Sequence, residues 1–174
     1  MEDLEILKIG LSDILELQHI ATETFIETFS HKNTADNMSL YLDNNLSLDT
    51  LSAEISTINS EFYFALKGNL LVGYMKLNFG STQLELKGKN SIELERIYVL
   101  KNHQRNRIGQ ALLDKAIDIA SQKQIEFIWL GVWEENWNAI NFYTKNNFHE
   151  FDRHIFLLGE DRQTDIMMKM ILKH

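Results

Sequence analysis

Apolar residues recur along the chain with two different periods, and each change of period marks the boundary of a predicted element. A period near 3.6 begins after Ser12, a residue suited to cap a helix, and it returns after Ile108 and again after Asn136. Shorter runs that alternate or stay apolar separate these stretches and are typical of strands. They predict seven strands, at Leu4–Ile9, Phe62–Leu66, Leu70–Phe79, Ile92–Leu100, Phe127–Val132, Phe148–Leu158 and Thr164–Leu172.

The segment between the first helix and the second strand is polar and rich in Asn, and it is predicted to contain two short helices. They lie around Asp36–Leu42 and Asp49–Ser56, and Ser47 is suited to cap the second of them. Helices that alternate with strands and hairpins predict an α/β (α+β) fold, in which a central mixed sheet carries helices on both faces. No repeat, linker or low-complexity block interrupts this pattern, so one domain is expected over residues 1–174.

The composition narrows the class of protein without identifying a function. The net charge of −8 argues against a nucleic-acid partner, because such proteins usually carry a basic surface. The chain has no cysteine, which excludes disulfides, thiolate metal sites and a cysteine nucleophile. The sequence has no basic and apolar leader and no apolar run near the ~20 residues that span a bilayer, so we expect a cytoplasmic protein without a membrane partner.

The segment from Glu93 to Ala111 carries the strongest chemical signal. It predicts a strand, a short polar loop and a helix that opens at Ile108 and Gly109. At the start of a helix the backbone N–H groups have no partner within the helix, and the helix dipole adds partial positive charge. The amides of residues 105–110, with the side chains of Arg105 and Arg107 nearby, can therefore bind a phosphate-bearing ligand.

This loop resembles the acetyl-CoA signature Q/R-x-x-G-x-G/A of the GCN5-related N-acetyltransferase (GNAT) family. Here the signature reads Gln104-Arg105-Asn106-Arg107-Ile108-Gly109, followed by Gln110. The later segment WLGVWEENWNAINFYTKNNF resembles a second motif of the family, a strand followed by Asn and by a helix that bears Ala-x-x-Phe-Tyr. Two positions depart from the pattern. Arg107 stands at the first glycine, and Asn147 stands where Gly usually precedes Phe148, although Asn tolerates the left-handed backbone of a helix end.

The resemblance implies a fold and a co-substrate. It implies a mostly antiparallel, seven-stranded sheet that splays open between its fourth and fifth strands, acetyl-CoA as co-substrate, and no metal. The loop from Gln104 to Gln110 would hold the pyrophosphate, and the pantetheine arm would lie along the fourth strand. There the backbones of Ile97 and Val99, with Tyr98 between them, would contact the arm.

Two residues of the second motif receive roles from the same resemblance. Tyr143 matches the family's helix tyrosine, whose phenol faces the CoA sulfur, so it would protonate the leaving thiolate. The alternative is that Tyr143 forms an aromatic core pair with Phe142. Asn136 would hydrogen-bond the pantetheine arm, cap the helix that follows it, or do both.

Transfer of an acyl group to an amine also requires a proton acceptor, because an alkylammonium with a pKa of about 10.4 carries no free electron pair at neutral pH. Glu95 is the predicted base, since strict alternation would put it on the strand face of Ile97 and Val99. Glu93, two residues earlier, is the second choice. The alternative for Glu95 is a solvated carboxylate beside Arg96.

The acceptor half of the chain resembles the PaiA branch of bacterial polyamine acetyltransferases, in the segments TFIETFS, EFYFALKGNLLVGYMKLN and ELERIYVL. The resemblance implies acetylation of a small primary amine, such as spermidine or spermine, and a homodimer is expected from the family. Two alternatives stay open: acetylation of a protein N-terminus or lysine, and a non-catalytic acyl-CoA-binding module. A polycation needs carboxylates and aromatic faces. The candidate acceptor residues are Glu27, His31 as a proton relay, Tyr41, Glu95, Trp133 and Glu134.

Overall fold

A seven-stranded sheet runs through the part of the chain that the computed structural model describes, residues 4–173. The strands lie in the order β1-β2-β3-β4-β5-β7-β6, and every neighbouring pair is antiparallel except β4 and β5, which are parallel. The predicted mixed, mostly antiparallel sheet of seven strands is confirmed. The strands are β1 (Leu4–Lys8), β2 (Ser60–Lys67), β3 (Leu70–Phe79), β4 (Ser91–Val99), β5 (Phe127–Trp133), β6 (His149–Leu158) and β7 (Asp161–Ile171).

Helices cover both faces of this sheet. We call the two sides the α1 face, where α1, α2 and α3 pack, and the α4 face, where α4 and α5 pack. Each face has its own apolar cluster, so a residue's position in a strand decides which group of helices it meets. Within residues 4–173, no helix is both long and apolar enough to cross a bilayer. The helices are α1 (Ile14–Phe29), α2 (Ala35–Asn45), α3 (Leu48–Ile55), α4 (Ile108–Gln122) and α5 (Trp137–Lys145).

The two predicted helix caps have different outcomes. Ser47 caps α3, because its side chain accepts a hydrogen bond from the Thr50 amide at 3.2 Å. The prediction that Ser12 caps the first helix is wrong. Ser12 lies inside a 3-10 turn, Leu11–Asp13, that precedes α1, and the Asp13 carboxylate closes this turn by accepting from the Gly10 amide at 3.0 Å.

Strands β4 and β5 pair only over Ser91–Glu93 and Phe127–Trp129. Beyond Glu93 and Trp129 no pairing joins them, although both strands continue, to Val99 and Trp133. The sheet is therefore splayed between its fourth and fifth strands, as the sequence predicts. We call this opening the splay. It lies between the two faces, and the residues predicted on β4 line it.

Candidate active site

The backbone of β4 lines the splay with polar groups that are not paired with β5. Leu100 donates its N–H to a carbonyl of β3 at 2.9 Å. Along an antiparallel ladder, the backbone groups of successive residues point alternately to the two sides of the strand. Those of Tyr98 therefore face β3, and those of Ile97 and Val99 face the splay. The Ile97 and Val99 side chains pack on the α4 face, so the backbone of Ile97 and the N–H of Val99 are available without disturbing the core.

Tyr98 does not share this position. Its backbone faces β3, and its ring lies on the α1 face, with its centroid 6.0 Å from that of Tyr74. The predicted contact of Tyr98 with the pantetheine arm is therefore wrong for its backbone, because alternation turns every second residue of the strand away from the splay.

The loop from Gln104 to Gln110 joins the end of β4 to α4. Among the described residues, no group accepts a hydrogen bond from the backbone amides of residues 105–110. The first amide of the helix that donates one is that of Ala111, to the Arg107 carbonyl at 3.0 Å. These free amides sit at the positive end of the α4 dipole and form a concave set of donors. A Cβ at Gly109 would have no atom of the chain nearer than 4.0 Å, so packing within the chain does not require glycine there. The missing side chain leaves room for a ligand.

Side chains near this loop connect it to the rest of the site. Gln104 Nε2 donates to the Val99 carbonyl at 3.1 Å, which fixes the loop to the end of β4. Gln110 Nε2 donates to Asp114 Oδ1 and to Asn146 Oδ1, both at 2.9 Å. The second contact joins α4 to the end of α5, which suggests a structural role for the Gln110 side chain and leaves its amide as the ligand-facing group.

Arg105 and Arg107 occupy the left-handed backbone region, with φ of 65° and 62°. A residue with a Cβ is strained there by about 1–2 kcal/mol, whereas glycine is not. We expect Arg107→Gly to raise the free energy of unfolding by about 0.5–1 kcal/mol, since the relief of strain exceeds the entropy that glycine adds to the unfolded chain. Urea unfolding measures it.

The control is Asn102→Gly, in the adjacent turn but without a positive φ. It should lower the free energy of unfolding or leave it unchanged. An equal gain in both variants would contradict the assignment of strain to residue 107. If the guanidinium binds phosphate, Arg107→Gly should also weaken acetyl-CoA binding severalfold, as measured by calorimetry.

Helix α5 brings two predicted residues to the other side of the splay. Asn136 is its N-cap, because Oδ1 accepts from the Ala139 amide at 3.2 Å, and its Nδ2 has no acceptor among the described residues. Tyr143 is buried on the α4 face, against Phe142 and Phe148. No described group bonds its hydroxyl. Burial raises the pKa of Tyr143 well above its ordinary value, so the phenol keeps its proton at neutral pH.

A β-bulge in β4 reverses the expected position of Glu95. Lys76 of β3 pairs with Arg96 and the next residue pairs with Leu94, so Glu95 has no partner in the ladder. The extra residue breaks strict alternation. Glu95 therefore lies on the α1 face, opposite to the Ile97 and Val99 side chains, and the prediction that the three share a face is wrong.

Glu95 is held in a group of four charged side chains that we call the buried ion cluster. Lys76 Nζ lies 2.6 Å from Glu95 and 3.1 Å from Glu54 of α3. Arg96 makes two bonds to Glu54, at 2.7 and 3.0 Å, and lies 3.4 Å from Glu95. Burial alone would raise the pKa of Glu95, but the charges of Arg96 and Lys76 outweigh it and hold the pKa below its ordinary value. Glu95 is thus a weak proton acceptor.

Glu93 has the opposite electrostatic environment. It is 3% exposed, at the point where β4 and β5 begin to diverge, and no cation pairs with it among the described residues. Its Oε2 accepts from Asn78 Nδ2 at 3.1 Å and from the Leu84 amide at 2.8 Å. Burial raises the pKa of Glu93 to about 7 despite these bonds. Such a carboxylate can accept a proton near neutral pH.

A histidine that the sequence did not single out lies within electrostatic range of Glu93. His154 of β6 extends over Gly131 of β5, where a Cβ would come within 3.1 Å of its ring and of Asp165. Its Nε2 lies 3.4 Å from Asp165 Oδ2, and its Nδ1 lies 3.0 Å from Glu85 Oε1 without hydrogen-bond geometry. Contact with Asp165 is the main cause of the raised pKa of His154, and Glu85 and Glu93 add to it. We call Glu85, Glu93 and Asp165 the acidic group.

Two of the predicted acceptor residues, Tyr41 and Trp133, lie on the α1 face. Tyr41 stacks on Phe25, with centroids 4.1 Å apart, and Trp133 packs near Phe29. Burial raises the pKa of Tyr41, and its hydroxyl is close enough to Arg96, Glu95, Glu54 and Asp165 for their charges to act on it. Tyr41 is therefore within electrostatic range of both the buried ion cluster and Asp165.

The remaining predicted acceptor residues are less central. The Glu27 carboxylate accepts from the Lys101 amide at 2.8 Å, so it fixes α1 to the end of β4. Glu134 follows β5, and its carboxylate lies 3.6 Å from Arg153. His31 is exposed in a 3-10 turn, and the structure does not bring it together with the other residues.

Comparison with known proteins identifies the family. The model of the acetyltransferase (GNAT) family matches residues 14–148. The chain belongs to the GNAT family. It is 37% identical, over 99% of both chains, to the uncharacterized N-acetyltransferase of the pepI 3′ region in Lactobacillus delbrueckii subsp. lactis. It is 26% identical to the spermidine N(1)-acetyltransferase of Thermoplasma acidophilum, over 83% of this chain and 88% of that protein.

The fold comparison agrees. The crystal structure of the PaiA N-acetyltransferase from Thermoplasma acidophilum, a complex with coenzyme A, superposes with a TM-score of 0.80 at 24% identity, covering 98% of this chain and 99% of that one. The GNAT fold predicted from the sequence is therefore confirmed, as is the prediction of an enzyme, an N-acetyltransferase. The alternative of a non-catalytic module finds no support in these relatives.

The residues of this GNAT enzyme that the sequence did not reveal are His154, Asp165 and Glu85. Gly131 was the available signal, since a glycine inside a strand often marks the close approach of another group. Among residues 4–173, no group of three or more His, Asp or Glu side chains is arranged to hold a metal ion. That the reaction needs no metal stays a prediction.

Proposed function

We propose that this N-acetyltransferase transfers the acetyl group of acetyl-CoA to a primary amine of a small polyamine, such as spermidine or spermine, by direct attack in a ternary complex. The observation that carries the proposal is Glu93. It is a buried carboxylate with a pKa of about 7 at the start of the splay, on the face that presents acids and aromatic rings. The similarity to the spermidine N(1)-acetyltransferase of Thermoplasma acidophilum supports the same class of acceptor.

The residues around the splay fit acetyl-CoA. The free amides of residues 105–110 and the arginines at 105 and 107 suit a pyrophosphate, and the free side of Ile97 and Val99 suits an extended amide-bearing arm. Bound there, acetyl-CoA supplies an acyl group activated as a thioester. The N–H of Ile97 faces the splay and can donate to an acyl oxygen as negative charge develops on it. Asn136 Nδ2 is free to donate to the arm.

Glu93 and Tyr143 would perform the two proton transfers. Glu93 on the α1 face would take a proton from the acceptor ammonium, directly or through water, and so free the electron pair of its nitrogen. Tyr143 on the α4 face keeps its proton at neutral pH and would donate it to the sulfur as the C–S bond breaks. The second proton that the nitrogen loses once the C–N bond has formed would restore the phenol. The two groups lie on opposite faces of the splayed sheet, so an acceptor and a thioester could meet between them.

The charge of the α1 face supports a cationic acceptor. The two cations of the buried ion cluster are balanced by its own two acids. Among residues 4–173, His154 is the only ion-pair partner of the acidic group, so the group retains net negative charge even when the imidazole is protonated. A polyamine would neutralise this charge and place its methylene segments against Tyr41 and Trp133.

Release of CoA thiol in a screen of acceptors tests the proposed substrate. With acetyl-CoA present, we expect kcat/KM for spermidine or spermine to exceed that for propylamine and for lysine or N-terminal peptides by tenfold or more, and to fall steeply with added salt because the attraction is electrostatic. A higher kcat/KM for peptides than for polyamines would contradict the proposed acceptor. If calorimetry detects no binding of acetyl-CoA, the whole proposal is wrong.

A further inference from the structure

An open cavity of about 500 Å³ lies at the end of β5, between the connection from α1 to α2 and the hairpin that joins β6 to β7. It belongs to the α1 face, because Trp133 packs there and Gln163 pairs with Phe156 of the same cluster. The sequence predicted only Trp133 and Glu134 as acceptor residues of this region. The lining residues are Lys32, Trp133, Glu134, Glu135, Asp161, Arg162 and Gln163.

Gln163 presents a buried acceptor that lacks a donor. The residue is 9% exposed, and its Nε2 donates to Asn33 Oδ1 at 2.7 Å and to Asp161 Oδ2 at 2.9 Å. The reverse orientation of the amide would set oxygen against these two oxygens, and Asn33 is itself held by a bond from its Nδ2 to the Phe29 carbonyl at 2.7 Å. The Oε1 atom is therefore fixed, and no described group donates to it. Buried carbonyl oxygens are normally bonded, so this one fits a ligand with an N–H.

The charges around the cavity favour an alkylammonium as that ligand. Lys32 Nζ bonds Glu135 and lies 5.6 Å from the centre of the Trp133 ring, so an ammonium of the chain already uses one carboxylate and the ring. Arg162, the other cation of the lining, is exposed. Asp161 makes no ion pair among the described residues and accepts only from Gln163. A second ammonium can thus find a free carboxylate in a cavity that Gln163 also lines.

The distance from the proposed base agrees with an extended polyamine. Glu93 is in register with Trp129 of β5. Trp133 lies four residues further along that strand, about 14 Å at the usual rise of a strand. A molecule that reacts beside Glu93 and reaches this cavity must therefore be long, and a second cation at its far end would meet the Asp161 carboxylate.

We propose that Gln163 and Asp161 bind the distal ammonium of the acceptor and so select a polyamine over a monoamine. This inference rests on the proposed function and adds a second recognition point to it.

Steady-state kinetics with spermidine and with propylamine test this site. Gln163→Leu and Asp161→Asn should each raise KM for spermidine about tenfold or more, with little change in kcat, because a hydrogen bond to a charged group is lost. KM for propylamine, which has no second ammonium, should not change. Asp152→Asn is the matched control, since Asp152 is an exposed acid of β6 outside the cavity. It should leave both KM values unchanged.

Equal changes of KM for the two amines, or none for spermidine, would overturn the subsite while leaving polyamine acetylation intact. If Gln163→Leu does not fold, Asp161→Asn decides, because it changes an exposed residue and keeps an acceptor for Gln163 Nε2. If the unaltered enzyme acetylates no polyamine, calorimetric titration with spermidine decides separately. Binding that Asp161→Asn weakens supports an ammonium site, and absence of binding overturns it.

Discussion

Replacing Glu93 with Gln is expected to lower kcat by about a hundredfold to ten-thousandfold, the range that a general base contributes. The amide keeps the size of the side chain and can still accept from Asn78 and Leu84, but it cannot take a proton. In the unaltered enzyme, kcat/KM should rise with pH to a plateau above about pH 7, as the carboxylate with that pKa loses its proton. Initial rates across this pH range measure both effects. A rising limb that persists in Glu93→Gln would assign the base to another group.

The same substitution has a second expected effect, on stability. The pKa of Glu93 in the folded chain, about 7, lies above its ordinary value of 4.5. The folded state therefore binds a proton more tightly than the unfolded state, and ionisation of Glu93 lowers the free energy of unfolding as pH rises from about 4.5 to 7. Glu93→Gln should thus be more stable than the unaltered protein above pH 7 and equally stable below pH 4. Urea unfolding at both pH values tests this sign.

Glu95→Gln serves as the contrast. Removal of its charge leaves Lys76 and Arg96 with one carboxylate, Glu54, so it should lower the free energy of unfolding by about 3 kcal/mol. The rising limb of kcat/KM should persist but move to lower pH, because the charge of Glu95 helps to raise the pKa of Glu93. If Glu95→Gln instead removed the rising limb, the base would be Glu95, as alternation first predicted.

Replacing Tyr143 with Phe is expected to lower kcat about a hundredfold, while the affinity for acetyl-CoA stays nearly unchanged. The substitution removes only a hydroxyl that no described group bonds, so the ring can keep its contacts with Phe142 and Phe148. Stopped-flow release of thiol and calorimetry with acetyl-CoA separate the two quantities.

The control for Tyr143→Phe is Tyr63→Phe. The Tyr63 hydroxyl donates to Glu61 at 2.6 Å in β2, away from the splay, so its removal should not change turnover. Unchanged turnover in Tyr143→Phe would remove the proposed proton donor and leave Tyr143 with a packing role on the α4 face.

Much of the fold could be predicted because the periods of the sequence are clear. Alternation identified the strands, and the polar loop before Ile108 identified the start of α4. Asn147 has the left-handed backbone predicted for it, with φ of 65°. Arg107 also has a positive φ, which a glycine at this position would adopt with less strain. Local chemistry decides these features, so one segment is enough to predict them.

The site was harder to predict because its residues meet through the register of distant strands. Glu95 was assigned to the wrong face because a bulge leaves no mark in the alternation of a single strand. Its partners Lys76 and Glu54 come from β3 and α3. His154 and Asp165 come within electrostatic range of Glu93 only because β7 and β6 continue the sheet beside β5 and their side chains reach over Gly131. Gln163 is notable only through a missing partner, which no sequence pattern contains.

The bulge at Glu95 also bears on how this chain tolerates changes in length. Deleting one residue from a strand normally moves all later side chains to the opposite face. Deletion of residue 95 would not, because Leu94 and Ile97 already pack on the same face with the bulge between them. The apolar clusters would survive, and the deletion would destabilise the protein through electrostatics, because two buried cations would share one carboxylate. Relatives that are one residue shorter here should therefore also lack the cation at position 76 or at position 96.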